Sequence, residues 1–176
     1  MRTVGILIAL VAITMAACIA QPEARIGIQG PDRAQFEPVQ RLLDHRCGSL
    51  DCHGQVGRNL RIWGCEGMRL DAMDTPYCRR TGGTDTTAAE YDATYRSLVG
   101  LEPAVMTAVI VGKGVHPEWL TFVRKARGDE SHKGGALWSP GDLQDQCVAS
   151  WLAGATDMNA CATAISDDLD GGMAGP

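Results

Sequence analysis

A mainly α-helical domain is the fold this sequence predicts, on three observations. Apolar residues recur at helical spacing in several short stretches. Prolines and capping residues mark where those stretches begin. No stretch shows the sustained alternation of a half-buried strand. The chain of 176 residues is long enough for one core with loose ends. Its 45% hydrophobic and 21% charged residues are ordinary for a globular protein. A formal net charge of −5 argues against a nucleic-acid partner, which calls for a basic stripe.

Residues 1–17 read as a secretory signal: Arg2, an apolar run from Val4 to Ala12, then small residues before a cut. The run is shorter than the roughly 20 residues of a membrane-spanning helix. Met15-Ala16-Ala17-Cys18 resembles a bacterial lipobox, with Met15 in place of the usual leucine. That resemblance implies cleavage before Cys18 and acylation of its thiol and new amino group. The expected location is the cell envelope, periplasmic or at the outer-membrane face, where disulfides persist and acyl chains hold the protein to a membrane.

Residues 18–35 carry Pro22, Gly27, Gly30 and Pro31 without a sustained period and read as a tether. The domain follows over 36–165. Phe36, Val39, Leu42 and Leu43 share a helical face, giving a helix over 36–46 that runs into Cys47. Residues 47–85 are rich in Gly, Cys and turn formers and need covalent or cofactor support. Thr86-Thr87-Ala88-Ala89-Glu90 offers a capped helix start, with Tyr91, Tyr95 and Leu98 on one face. Pro103 opens a helix through Val111, and Pro117 another over Glu118–Ala126. Residues 127–141 form a polar, Gly-rich loop around His132. Asp142 is placed to cap a last helix through Leu152. From Ser166 the acidic, Gly-rich composition predicts a disordered tail over 166–176.

The stretch Arg46-Cys47-Gly48-Ser49-Leu50-Asp51-Cys52-His53-Gly54 carries the strongest chemical signal. In c-type haem attachment two thiols add across the two vinyl groups, and the histidine after the second cysteine binds iron. The second thioether holds the ring edge beside the chain, which brings the next imidazole under the metal. The common spacer has two residues; here Gly48-Ser49-Leu50-Asp51 must bulge. The bland alternative is a Cys47–Cys52 disulfide with a solvated His53. Zinc requires more ligands at typical spacing than the sequence offers.

On these residues the chain resembles the bacterial c-type cytochromes, specifically monohaem lipoproteins with an expanded Cys-x4-Cys-His site. The resemblance rests on Phe36–Gly54, on Ser131-His132-Lys133-Gly134-Gly135, and on the closing helix of Pro140–Gly154 with Trp151. Trp63–Arg127 matches nothing in it. It implies a cytochrome c-like small helical domain with haem c, His53 as proximal iron ligand and His132 as distal ligand. Gly134 and Gly135 would let the backbone near His132 approach a flat ring. Met68, Met73 and Met106 are the alternatives for that position, with His116 or an open site behind them.

Seven cysteines is an odd number. Lipid takes Cys18 and haem takes Cys47 and Cys52. Cys65, Cys78, Cys147 and Cys161 remain and allow three pairings. The local pairing, Cys65–Cys78 with Cys147–Cys161, would brace the Gly-rich middle and pin the tail. Trp63, Trp119, Trp138 and Trp151 are candidate walls of a haem crevice. Arg61, Arg69, Arg79 and Arg80 are candidate partners of the propionates.

The expected function is one-electron transfer with redox partner proteins, as a carrier rather than a catalyst, on a membrane-anchored haem c protein. The alternative is a non-enzymatic, disulfide-rich structural or interaction lipoprotein without haem.

Overall fold

A computed structural model describes residues 27–170, with side chains to Ser166. The signal segment 1–17, Cys18, the first half of the tether to residue 26, and residues 171–176 lie outside the described residues. The described chain is mainly helical. Its helices are α1 (Glu37–Cys47), α2 (Cys78–Thr81), α3 (Ala88–Val99), α4 (Pro103–Val111), α5 (Thr121–Arg127), α6 (Leu143–Ala153) and α7 (Met158–Asp170). Among the described residues there is no strand, only the isolated bridges Ser49–Gly67 and Trp63–Met68. No described helix is long and apolar enough to cross a membrane.

α1 is the centre of the packing. Val39, Leu42 and Leu43 are buried on it, as the sequence pattern predicts. It packs against α6, α7 and α3. Phe36, just before α1, meets Trp151 of α6 at 4.9 Å and Tyr95 of α3 at 5.5 Å between ring centres. The Trp151 indole N–H donates to the Asp32 carbonyl at 3.0 Å, fastening the entry segment to α6.

The sequence signals for helix starts hold in most places. Thr87 and Glu90 form a complete capping box on α3. α4 spans the predicted Pro103–Val111. The helix expected after Pro117 is instead a 3-10 turn, Pro117–Trp119, and then α5, because Leu120 adopts an extended backbone between them. Asp142 stands at the α6 N-cap, but its carboxylate turns back to accept from the Ser139 N–H. α7 was not expected at all. It continues to Asp170, past Ser166 where composition places the tail. Its buried face is made of small residues, Ala160, Cys161 and Ala164, which approach α1 and α6 closely but give a weak hydrophobic pattern.

The Gly- and Cys-rich middle sends Ile62 into the core and is otherwise held by a disulfide and polar anchors. Cys65 and Cys78 are disulfide-linked, and so are Cys147 and Cys161. Asp44, buried in the last turn of α1, accepts from Thr86 Oγ1 at 2.8 Å and from the Glu66 N–H at 3.3 Å. Burial pushes its carboxyl above the ordinary aspartate range despite these bonds. Glu90 closes the other side. Its carboxylate accepts from Arg69 Nε at 2.8 Å and Nη2 at 3.1 Å, and both side chains are almost fully buried, at 1% and 3% exposure.

Candidate functional site

The site is built on the end of α1 and the tight loop that follows. The His53 N–H donates to the Cys47 carbonyl at 2.9 Å, while the N–H groups of Cys52 and Gly54 both reach the Ser49 carbonyl. The four-residue spacer is thereby closed into a compact turn that keeps Cys47, Cys52 and His53 together. Arg58 clasps it from outside, donating to the carbonyls of Cys52 at 2.8 Å and Asp51 at 3.1 Å. Gly54 and Gly67 lie so close to the Gly48 carbonyl that a Cβ on either would collide with backbone. The turn therefore requires glycine at both places.

Cys47 and His53 line a cavity of about 350 Å³, within the usual range of ligand sites. Its walls are apolar: Leu43 from α1, Leu60 and Ile62 from the returning segment, Phe122 and Ala126 from α5, and Leu137. Arg58, Asn59 and Lys125 supply its polar part. His132 lines the same cavity.

The two histidines are arranged alike. His53 Nδ1 lies 3.0 Å from the Leu60 carbonyl, and His132 Nδ1 lies 3.2 Å from the Gly135 carbonyl. A carbonyl only accepts, so each Nδ1 carries a proton, and in the neutral form of the ring Nε2 holds the free lone pair. This is the arrangement by which metal-binding imidazoles are oriented. The ring centres are 5.9 Å apart and the planes within 20°. Burial, with His132 and Arg58 nearby, lowers the His53 pKa below 6.5 and keeps the ring neutral, as a ligand must be.

His132 reaches the cavity because its loop is pinned at both ends to α5. Gly128 ends α5 in the left-handed conformation, φ 83°. Glu130 then pairs with Arg124 at 3.1 Å and Lys125 at 2.8 Å, and Lys125 also donates to the Ser131 carbonyl at 2.9 Å. On the far side, the N–H groups of Leu137 and Trp138 share the Ala126 carbonyl.

The rival sixth ligands are elsewhere. Met106 is fully buried in the core, Met73 is 89% exposed, and Met68 pairs in the bridge with Trp63. His116 bonds Glu118 and stacks on Trp119. None of the four lines the cavity. Of the four tryptophans only Trp138 does; Trp151 belongs to the core beside Phe36, and Trp63 and Trp119 lie outside. Arg69 is committed to Glu90, and Arg58, which sequence reasoning passed over, takes the place at the cavity. The proximity of Arg58 to the Cys-His motif was the one available signal.

Cys47 and Cys52 are free thiols. Burial pushes the Cys47 thiol up to about 12, so it stays protonated at neutral pH and is not an activated nucleophile. Trp138 contributes to the cavity wall, while its indole N–H is buried away from the open space and has no hydrogen-bond partner.

Comparison of the chain with protein-family models, with curated proteins and with solved structures gives no match.

Proposed function

We propose that this chain is an exported, lipid-anchored cytochrome c-like protein that holds one haem c and carries single electrons. The observation that carries the reading is the pairing of His53 and His132 across an apolar cavity that Cys47 also lines. Cys47 and Cys52, both unoxidised, would take the two thioethers, each S–H adding across one vinyl group. His53 would be the proximal ligand and His132 the distal one. Arg58, Lys125 and Asn59 suit the two propionates.

The residues around the site do the rest of the work. The Leu60 and Gly135 carbonyls fix both imidazole tautomers. Leu43, Ile62, Phe122 and Leu137 exclude water and lower the local dielectric. Haem supplies a one-electron iron couple, with no proton or group transferred. Two histidine ligands leave no open position and favour a lower potential than a histidine–methionine pair. This makes a carrier a better reading than an oxygen-handling enzyme. The membrane anchor at Cys18 and the redox partners belong to the same proposal.

The test is expression with a working haem c attachment system, followed by haem staining of the denatured chain and an absorption spectrum. A covalent Soret-absorbing species of low-spin type is expected. Colourless exported protein with Cys47 and Cys52 joined would overturn the reading in favour of a structural lipoprotein with three disulfides.

A further inference from the structure

α4 is apolar almost throughout, with Thr107 its one polar side chain, yet only Met106 and Val109 are buried. Ala104, Thr107, Ala108 and Val111 recur at the spacing of a single helix stripe, and Ala104, Ala108 and Val111 are exposed. Trp119, 50% exposed, lines a shallow groove with Ala104, Val105 and Ala108, and Glu118 and Arg124 stand at its charged side. Val115 and Ile28 add two more large exposed apolar side chains near the ends of this region. A patch of this kind marks a contact surface.

What covers it is indicated by the path of the N-terminal segment. The Gln29 N–H donates to Thr107 Oγ1 at 3.0 Å, so the segment arriving from Cys18 is fastened to this same stripe. Between Cys18 and Gly27 the chain spans at most about 30 Å even fully extended. We infer that the α4 stripe with Trp119 is the face laid against the lipid bilayer that holds the acyl chains of Cys18. This rests on the lipidation in the function proposed above. A tether this short holds the stripe at high effective concentration over the bilayer, so a modest apolar area suffices. Trp119 has the amphipathic ring favoured at a membrane interface, and His116 stacks on it at 4.6 Å. Lys113, exposed at the end of α4, suits anionic headgroups.

The test compares the acylated, haem-loaded chain in phosphatidylethanolamine–phosphatidylglycerol vesicles with its Cys18→Ser counterpart in solution. Hydroxyl-radical footprinting read by mass spectrometry reports side-chain exposure. Several-fold protection of Trp119 in vesicles is expected, while Met73 and Met158 oxidise at equal rates in both samples. Introducing Val111→Glu and Val115→Glu, both at exposed positions, should return Trp119 to its solution rate without releasing the protein from vesicles. An acylated chain that floats with vesicles but leaves Trp119 unprotected overturns the docking face alone. Intact mass showing no acyl groups on Cys18 overturns the anchor and the face together. Protection that appears in the Cys18→Ser chain as its concentration rises assigns the stripe to a second copy and overturns the lipid assignment.

Discussion

The imidazoles of His53 and His132 lie with ring centres 5.9 Å apart and planes within 20°, each held by a backbone carbonyl at Nδ1. Removing either ring tests whether the pair acts as one ligand set. His132→Ala should convert the low-spin spectrum to a high-spin one while covalent haem is retained. His132→Met should keep a low-spin spectrum and raise the potential. An unchanged spectrum in His132→Ala would remove His132 from the metal and reopen Met68, Met73 and Met106.

Lowering the pH should weaken the site through His53. Its folded-state pKa is depressed below the ordinary 6.5, first by burial and then by its charged neighbours. In the metal-free chain the unfolded state therefore binds the proton more readily than the folded one below 6.5. The stabilisation is complete above that value and is lost as pH falls toward the depressed value. Urea titrations of the metal-free protein across this range should show the loss, and His53→Gln should flatten it.

The Arg69–Glu90 pair is a structural linchpin outside the site. Glu90→Gln leaves the buried Arg69 guanidinium with Asp74, at 3.6 Å, as its remaining counter-charge and should cost about 3 kcal/mol, read as a lower midpoint in urea unfolding. Burial raises the Glu90 pKa, but Arg69 and the N–H groups of Thr87 and Leu70 outweigh it and bring it below 4.5. Stability from this carboxylate is thus present above 4.5 and lost as pH falls through the depressed value.

Gly128 sets the direction in which the His132 loop leaves α5. At φ 83° a side chain is strained, and a Cβ there would meet the Ala136 methyl at 2.9 Å. Gly128→Ala should destabilise by about 1–3 kcal/mol. It should also lower the low-spin fraction of the haem-loaded protein. Gly27→Ala, at a position with open space around it and away from the cavity, provides the control.

Opening the Cys65–Cys78 link with paired serine substitutions should cost about 3 kcal/mol, the value for a loop of this length. Thermal unfolding measures it. The cavity residues lie outside that loop, so the spectrum should survive.

Much of the helix content was legible because the signals are local: the Thr87–Glu90 box, Pro103 at the head of α4, and the apolar stripe of α1. α7 escaped because its buried face is alanine and cysteine, whose contribution depends on close approach rather than hydrophobic pattern. Pro117 signalled a start correctly but not the break at Leu120, which depends on how the turn docks. At the site, Cys47, Cys52 and His53 were legible because sequence neighbours share one turn. The placement of His132 beside them was anticipated only through resemblance. The unpaired Trp138 N–H, the Arg58 clasp and the carbonyls of Leu60 and Gly135 arise from tertiary approach and leave no mark in a linear pattern.

Both disulfides bridge near neighbours, with sequence separations of 13 and 14, and neither ties one wall of the cavity to another. The order of maturation follows from this. The four structural cysteines can be oxidised locally before the domain closes, and neither bond spans the cavity. Once α1 is packed, the Cys47 sulfur is a poor exchange partner, since its proton is held too tightly for attack. Misoxidation at Cys47 is therefore a hazard of the nascent chain, whereas the half-buried Cys52 stays open to it after folding.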